Sequence, residues 1–267
     1  MKINAVEIYK SIEVIRHQAP VVHNITNYVV MNNTANALLA IGASPVMAHA
    51  PEEVEEMVNI ASSLVINIGT LSERWIYSML KAAAQARKNG IPVILDPVGV
   101  GATSYRTQTA RELIATDSPA IIRGNASEIM ALYDDKTKTK GVDSAALSDD
   151  AITIAQKLSE TYNCVVCVSG ATDYIIEGKQ IVKVNNGHPL MTRVTGLGCT
   201  ASALCGAFAA VEKDYVAATV KAMAVMGIAG EIAAEKAVGP GSMQMHFLDH
   251  LYRLSEAEIT SRLKIEE

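Results

Sequence analysis

The sequence has few of the features that mark secreted, membrane or nucleic-acid-binding proteins. Only 19% of its 267 residues are charged, the formal net charge is -5, and no long run of like charge occurs. Such a chain has no excess of positive charge to attract DNA, RNA or anionic lipid nonspecifically. The stretch from Met1 to Glu13 carries charge throughout and lacks the apolar core of a signal peptide. We therefore expect a cytoplasmic protein with no nucleic-acid or membrane partner.

Cysteine is also scarce, with residues at positions 164, 167, 199 and 205, and in a reducing compartment we expect no disulfides. Cys164 and Cys167 lie in an apolar run typical of a strand, where residues three apart point to opposite faces. They cannot hold one metal ion together, and we interpret them as buried thiols. His246 and His250 lack the glutamate of the zinc motif HExxH, and we interpret them as a helix surface or interface pair.

No apolar segment is a convincing membrane span. The most apolar stretches are interrupted by charge or glycine before they reach the roughly 20 residues that a span needs. The run from Val194 to Val211 comes closest, but its Thr, Gly, Ser and Cys content makes it only weakly hydrophobic. Because we find no internal repeat, low-complexity tract or linker, we expect a single domain over residues 1–267.

The sequence does show short apolar runs that alternate with helical patterns. The runs typical of buried strands are Ser63 to Thr70, Ile91 to Thr103, Pro119 to Glu128 and Cys164 to Asp173. The helical patterns are Pro51 to Ser62, Ser72 to Gly90, Arg106 to Ala115, Ser127 to Tyr133 and Ser148 to Tyr162. This alternation predicts an α/β protein with a parallel sheet covered on both faces. A hairpin is expected over Tyr174 to Val184. After Cys199 only helices are expected, over Ala201 to Glu212, Tyr215 to Ala237 and Ser242 to Lys264.

Polar residues follow the predicted strands, where open α/β sheets bind their ligands. Asp96 taken alone is typical of a turn, and Asn125 with Glu128 is typical of a helix capping box. Asp96 and Glu128 nevertheless follow two separate strands of one sheet edge. Proteins usually bind Mg²⁺ through one or two carboxylates together with the phosphates of the substrate. Both residues are therefore also candidate metal ligands.

The segment VTGLGCTASAL, Val194 to Leu204, contains a glycine-rich turn. Its G-x-G-x-x-A spacing is not a dinucleotide fingerprint, because the residues before it are typical of a loop rather than a strand. Two interpretations remain open. The turn can present backbone N–H groups to an anion at a helix N-terminus, or it can let a small-residue helix pack closely in the core. Both can hold at once.

The segment from Val21 to Met57 combines five asparagines, two threonines and three methionines with strong hydrophobic residues. We favour a small-ligand pocket here, since such a pocket needs apolar walls with a few placed hydrogen-bonding groups. The alternative is a helix over Tyr28 to Ile41 with an exposed face rich in asparagine.

Five segments in order, HNITNYVVMNNTANALLAIGASPVMAHAPEE, LVINIGTL, ILDPVGVGAT, IIRGNASEI and VTGLGCTASAL, together resemble the hydroxyethylthiazole kinase family of the ribokinase-like superfamily. The resemblance implies a three-layer α/β/α sandwich with a mostly parallel central sheet. It also implies a homotrimer with active sites at subunit interfaces. The expected reaction is ATP- and Mg²⁺-dependent phosphorylation of the hydroxyl of 4-methyl-5-(2-hydroxyethyl)thiazole, which salvages the thiazole half of thiamine.

The resemblance also implies roles for individual residues. The substrate side is expected at Met47, Gly196 and Asn27, the nucleotide side at Arg123, Ser169 and Gly198, and the Mg²⁺ and phosphate side at Asp96 and Glu128. Cys199 stands where ribokinase-like kinases generally have the aspartate that accepts the proton of the alcohol. A helix N-terminus would lower the pKa of this thiol and a nearby triphosphate would raise it. The sequence leaves open which effect is larger.

Overall fold

A single mixed sheet organises the computed structural model, which describes residues 3–133 and 149–267. Ser148, the expected first residue of a helix, lies outside the described residues. The strands are β1 (Val21–Ile25), β2 (Ser44–Val46), β3 (Ser63–Asn67), β4 (Val93–Asp96), β5 (Ile121–Asn125), β6 (Val165–Ser169), β7 (Asp173–Glu177), β8 (Gln180–Val184) and β9 (Ile265–Glu266). They lie in the order β2-β1-β3-β4-β5-β6-β7-β8-β9, parallel as far as β6 and antiparallel beyond it.

Helices cover both faces of this sheet. The helices are α1 (Ala5–Gln18), α2 (Met31–Ile41), α3 (Val54–Ile60), α4 (Glu73–Asn89), α5 (Ser104–Thr116), α6 (Ala126–Tyr133), α7 (Asp149–Tyr162), α8 (Leu197–Ala209), α9 (Tyr215–Lys236), α10 (Pro240–Arg253) and α11 (Glu256–Arg262). Buried residues of α1, α2 and α8 to α11 form one core, and those of α3 to α7 form the other. The three-layer α/β/α prediction is confirmed.

The strands form because their side chains are apolar on both faces. In β3, Leu64 and Ile66 join the core under α3 to α7, whereas Val65 between them joins the opposite core. The same alternation separates the two cysteines of the C-x-x-C pair. Cys164 lies in one core and Cys167 in the other, so the prediction that they point to opposite faces is confirmed.

Helix α8 packs unusually close to the sheet. A Cβ placed on Gly206 would lie 2.6 Å from Cγ2 of Val65. The interpretation of this segment as a small-residue helix that approaches the core is therefore confirmed. The helix begins at Leu197, four residues before the predicted start at Ala201.

Several elements differ from the sequence prediction. Strands β1 and β2 and helix α1 were not expected, and the two-residue β9 shows that the chain after Cys199 is not entirely helical. The helix predicted over Ser242 to Lys264 is two helices. The chain turns at Leu254, and Ser255 then caps α11 by accepting the N–H of Glu258, which closes a capping box.

In the part of the chain that the structure describes, one helix is long and apolar enough to cross a membrane by length and composition. This helix is α9, not the run from Val194 to Val211 that comes closest in the sequence, and 94% of its most apolar stretch is buried inside the protein. It serves as a central core helix beneath the sheet.

The strand order places a crevice beside β1. From β1 the chain crosses through α2 to β2 on one side, and then through α3 to β3 on the other. Ligands of open α/β sheets bind at the carboxyl ends of strands where the direction of crossing reverses. The crevice between the ends of β1 and β3 is therefore the favoured position for a site.

Candidate active site

The N-terminus of α8 lies at this crevice because of Gly196. This N-cap residue has φ 83°, a left-handed conformation that favours glycine. A Cβ at Gly196 would also lie 2.8 Å from Cγ1 of Val30, which follows the end of β1. Both facts require a glycine here. The close contact brings the turn before α8 against the segment that contains Asn27.

The first turn of α8 offers free backbone donors. The first hydrogen bond within the helix runs from the N–H of Thr200 to the carbonyl of Gly196, 2.8 Å away. Within residues 3–133 and 149–267, the N–H groups of Leu197, Gly198 and Cys199 have no acceptor. Such donors, together with the positive end of the helix dipole, suit an anion. The anion-binding interpretation thus concerns the N-terminus of α8, whereas the close-packing interpretation concerns the part of the same helix around Gly206.

A chain of hydrogen bonds crosses three strand ends beneath this turn. Asn27 Nδ2 lies 3.5 Å from Cys199 Sγ and donates to Asn67 Oδ1 at 2.8 Å. Asn67 Nδ2 in turn donates to Asp96 Oδ2 at 2.7 Å, and Ser202 Oγ donates to the same carboxylate oxygen at 2.8 Å. Side chains at the carboxyl ends of β1, β3 and β4 are therefore joined to Cys199 in one network.

Burial sets the ionisation of this network. Cys199 is half-buried, and burial raises the pKa of its thiol to about 11, with the nearby charge of Asp96 acting in the same direction. Burial also raises the pKa of Asp96 to about 6, against the opposing charge of Arg123. At neutral pH, residue 199 is thus a thiol in the free protein. The effect of the helix N-terminus that the sequence suggested is outweighed by loss of solvent.

Arg123 and Ser169 lie together on the neighbouring strands β5 and β6. Arg123 Nη2 donates to Ser169 Oγ at 2.7 Å, and Ser169 Oγ donates to the carbonyl of Gly124 at 3.2 Å. A Cβ on Gly198 would lie 3.0 Å from Arg123 Nη1, so the guanidinium reaches the first turn of α8. Arg123, Ser169 and Gly198, all expected on the nucleotide side, are therefore neighbours in space.

The guanidinium of Arg123 stays charged although it is buried. Burial disfavours the charged guanidinium, but Asp96, Glu128 and Asp173 more than compensate and raise its pKa. Its Nε is buried without a hydrogen-bond partner among the described residues. A buried donor without a partner is uncommon and indicates a place for a polar ligand.

Glu128 forms the capping box that its spacing predicted. Its Oε2 accepts the N–H of Asn125 at 2.9 Å, while Asn125 Oδ1 accepts the N–H of Glu128 at the same distance. Its Oε1 accepts the N–H of Gly99 at 2.8 Å, from the loop that follows Asp96. Glu128 thus joins the ends of β4 and β5.

The residues present fit Mg²⁺ only when phosphates share the ion. Among the described residues, no group of three or more His, Cys, Asp or Glu side chains could enclose a metal ion. Asp96 and Glu128 lie close enough for the charge of Glu128 to raise the pKa of Asp96. Two carboxylates with excess negative charge suit an ion that keeps several waters and binds substrate phosphates.

Met47 lies apart from this network, in the segment after the edge strand β2. Its backbone carbonyl accepts a hydrogen bond from His49 Nδ1 at 3.2 Å. The ring of His49 packs on that of Trp75, with centroids 4.5 Å apart, and Tyr28 packs on Trp75 at 4.7 Å. Met47 therefore lies next to a cluster of the rings of Tyr28, His49 and Trp75.

The asparagine-rich segment divides into two parts. Asn24 and Asn27 are buried at the end of β1, and Asn27 belongs to the network described above. Asn32 and Asn36, by contrast, are exposed on α2, where they hydrogen-bond to each other at 3.1 Å. The first part contributes Asn27 to the hydrogen-bonded network and keeps the prediction of a ligand pocket, whereas the second part forms the exposed asparagine-rich helix face of the alternative.

Three polar residues near these groups were not among the predicted site residues. Asn67 and Ser202 complete the network, and the position of Ser202 three residues after Cys199 on a helix was the available signal. Asp173 is buried at the start of β7, where it accepts the N–H of Gly170, and burial raises its pKa to about 7.

The histidine pair differs in part from its interpretation. Both residues lie on α10, but His250 is buried rather than exposed, and its ring contacts the guanidinium of Arg253. The interpretation as a helix surface or interface pair is wrong for His250, because α10 turns this side chain toward the core of its own chain.

Comparison with known proteins points to one family. Residues 12–257 match the model of the hydroxyethylthiazole kinase family. The chain is 61% identical over 266 residues to hydroxyethylthiazole kinase of Syntrophus aciditrophicus, covering 99% of this chain and 98% of that one. The structure of a hydroxyethylthiazole kinase protein from Pyrococcus horikoshii OT3 is 44% identical, with a TM-score of 0.90 over 97% of this chain and 98% of that one. A ribokinase-like superfamily protein from Enterococcus faecalis V583, 13% identical, shares the fold with a TM-score of 0.64 over 88% of this chain and 87% of that one.

Proposed function

The chain belongs to the hydroxyethylthiazole kinase family, and from this premise we propose how the carboxyl edge of its sheet phosphorylates the hydroxyl of 4-methyl-5-(2-hydroxyethyl)thiazole. The observation that carries the proposal is the hydrogen-bonded network from Cys199 through Asn27 and Asn67 to Asp96. It lies under a helix N-terminus with free N–H donors, a geometry that suits an alcohol facing a phosphate.

The nucleotide occupies the side of the crevice formed by β5 and β6. Arg123 and Ser169 bind its phosphates there, and the N–H groups from Leu197 to Cys199 face the transferred γ-phosphoryl group. In phosphoryl transfer, positioning and charge stabilisation supply most of the rate. The fixed positive charge of Arg123 and the dipole of α8 point to the same place.

The thiazole occupies the side formed by β1 and β2, with Met47 and Gly196 as apolar contacts and Asn27 at its border. The hydroxyl oxygen attacks the γ-phosphorus while the bond from that phosphorus to the bridging oxygen of ADP breaks. ADP leaves with the electron pair of that bond, and the hydroxyl proton passes to Cys199 Sγ. Since burial raises the pKa of this thiol to about 11, the thiolate that accepts the proton is a small fraction at neutral pH. Cys199 is therefore a modest base.

Asp96 and Glu128 would hold Mg²⁺ between the protein and the nucleotide phosphates. The ion supplies charge neutralisation on those phosphates when it is bound. Ser202 and Asn67 hold one oxygen of Asp96, and Gly99 and Asn125 hold both oxygens of Glu128, so the two carboxylates have fixed orientations.

The assembly and location belong to the same proposal. A homotrimer with sites at subunit interfaces is supported by Tyr28 and Val29, apolar residues that directly follow Asn27 and are 64% and 63% exposed. One continuous sheet supports a single domain over residues 1–267. The mildly acidic composition supports a cytoplasmic protein without nucleic-acid or membrane partners. Light scattering coupled to size-exclusion chromatography measures the oligomer directly.

A coupled assay of ADP release over a panel of small alcohols, with and without Mg²⁺, tests the function. We expect turnover with the thiazole alcohol that needs Mg²⁺, and little turnover with sugars or nucleosides, because the substrate side is apolar. Faster turnover with another alcohol would reassign the substrate. Nucleotide binding with no turnover on any alcohol would contradict the kinase activity of this chain.

A further inference from the structure

We propose that Arg106 is a positioning residue of this site, which braces the two loops that follow Asn67 and Asp96 and so keeps Asn27 and Cys199 in place. Arg106 lies on α5, outside the groups assigned above to substrate, nucleotide or metal. The proposal deepens the phosphotransfer function proposed above and rests on it for the meaning of a change in kcat.

The guanidinium of Arg106 binds backbone carbonyls of both loops. Its Nη1 donates to the carbonyls of Ile68 and Val98, each at 2.8 Å, and its Nη2 donates to the carbonyl of Gly69 at 2.8 Å. Three of its five N–H donors thus join the loop after β3 to the loop after β4. A lysine ammonium is a compact point of charge and does not reproduce this planar fork.

The loop after β3 connects Arg106 to Cys199 through contacts of Gly69 and Asn27. The N–H of Gly69 donates to Asn67 Oδ1 at 2.9 Å, the oxygen that also accepts Asn27 Nδ2. A Cβ on Gly69 would lie 2.6 Å from Asn27 Nδ2, so the backbone of Gly69 packs directly on that amide. Movement of Gly69 therefore displaces Asn27, and with it the donor that faces Cys199 Sγ.

The loop after β4 passes the restraint to the carboxylates. Gly99 has φ +74°, and a Cβ there would lie 3.2 Å from Cδ of Arg106, so the arginine stem packs on this glycine. The N–H of Gly99 donates to Glu128 Oε1. Arg106 thus braces the backbone between Asp96 and the residue that holds Glu128.

The same helix offers a matched control. Arg111 lies five residues further along α5 and donates from Nε to the carbonyl of Leu132 at 3.1 Å and from Nη2 to the carbonyl of Ala131 at 3.2 Å. These carbonyls belong to the last turn of α6 rather than to the two loops. Arg111→Ala therefore removes the same kind of bond without touching the Cys199 network.

The test compares Arg106→Ala, Arg106→Lys and Arg111→Ala in the full chain. For both Arg106 variants we expect kcat to fall at least about tenfold, since small displacements of reacting groups cost up to about 100-fold. The Kd for ATP measured without Mg²⁺ should stay within about threefold, because Arg123 and Ser169, which are proposed to bind its phosphates, lie on other strands. Iodoacetamide should alkylate Cys199 at least about threefold faster, because a loosened network exposes the thiol. Arg111→Ala should keep kcat and alkylation within about twofold of wild type.

Alkylation of Cys199, located by mass spectrometry, needs no substrate and separates the two proposals. Faster alkylation in Arg106→Ala with no thiazole phosphorylation by wild type would support the positioning role and contradict the function. Wild-type turnover with Arg106 variants that match Arg111→Ala in kcat and alkylation would overturn the positioning role. If Arg106→Ala fails to fold, Arg106→Lys carries the test. If both variants fail to fold while Arg111→Ala folds, Arg106 acts on stability and the proposal is also overturned.

Discussion

Replacement of Gly196 by alanine separates backbone strain from steric conflict at the proposed anion site. At φ 83° an alanine is strained by about 1–2 kcal/mol. Its Cβ would also lie 2.8 Å from Cγ1 of Val30, which is 2% exposed and has little room to move. Overpacking of this kind costs about 1–3 kcal/mol. The variant should therefore lose about 2–5 kcal/mol of its free energy of unfolding.

Gly90→Ala is the matched control, because Gly90 has φ +66° and a Cβ there would meet nothing within 4 Å. This change should cost only the strain, about 1–2 kcal/mol. Denaturant unfolding of both variants isolates the contact with Val30. Turnover gives a second measure. If the chain before α8 moves to relieve the contact, the N–H groups of the first turn move too, and kcat should fall up to about 100-fold. Gly90→Ala should keep its kcat.

Val30→Ala combined with Gly196→Ala completes a double-mutant cycle. The smaller residue removes the conflict, so the two changes together should cost at least about 1 kcal/mol less than their sum. Equal losses in Gly196→Ala and Gly90→Ala, together with additive costs in the cycle, would refute the assignment of the conflict to Val30.

Three further predictions concern charge and proton transfer. Cys199→Ala should lower kcat while nucleotide binding survives, and Cys199→Asp should preserve or raise kcat; full kcat in the alanine variant, measured where chemistry limits turnover, would exclude the proton-acceptor role. Burial raises the pKa of Asp96 to about 6 from its ordinary 3.8, so the folded protein binds this proton more tightly than the unfolded chain. The free energy of unfolding that this proton contributes is therefore fully present below about pH 4 and is lost as pH rises through about 6, by up to about 3 kcal/mol. In urea unfolding, the free energy of unfolding of Asp96→Asn should decline less than that of wild type over the same pH range. Arg123→Lys should raise the KM for ATP about tenfold with less effect on the KM for the thiazole, because an ammonium cannot both reach Ser169 and face Gly198 as the guanidinium does; equal changes in the two KM values would contradict its place on the nucleotide side.

The strands that could be read from the sequence are those whose residues are apolar on both faces. Strands β3 to β6 fit that description, whereas the hairpin of β7 and β8 was predicted from the turn signal between its strands. β1 was missed because His23 and Asn24 interrupt its apolar pattern. Both are nevertheless fully buried: His23 Nε2 donates to the carbonyl of Ala48 and Asn24 Nδ2 to the carbonyl of Val22. β2 and β9, with three and two residues, are too short for any pattern.

The site residues also divide into those that a local sequence pattern indicates and those that it does not. The strand ends after β4, β5 and β6 could be identified because polar residues follow apolar runs directly there. The capping box at Glu128 was also readable, since its partners are three residues apart. Asn67 also ends an apolar run, but neither Asn67 nor Ser202 was assigned a role, because the partners that give each its role lie far along the chain. Ser202 lies 106 residues from Asp96, and no local spacing reports that contact.

By itself, then, the sequence determined the layered α/β fold, the sheet edge that carries the site and the family to which the chain belongs. These depend on local periodicity and on motifs that occur in order along the chain. The tertiary structure alone decided the state of Cys199. A helix N-terminus favours the thiolate and can be read from the glycines before it, but burial raises the thiol pKa to about 11. Burial is the sum of contacts with Asn27, Asn67 and the rest of the crevice, from segments up to 172 residues away, and it exists only once the chain has folded.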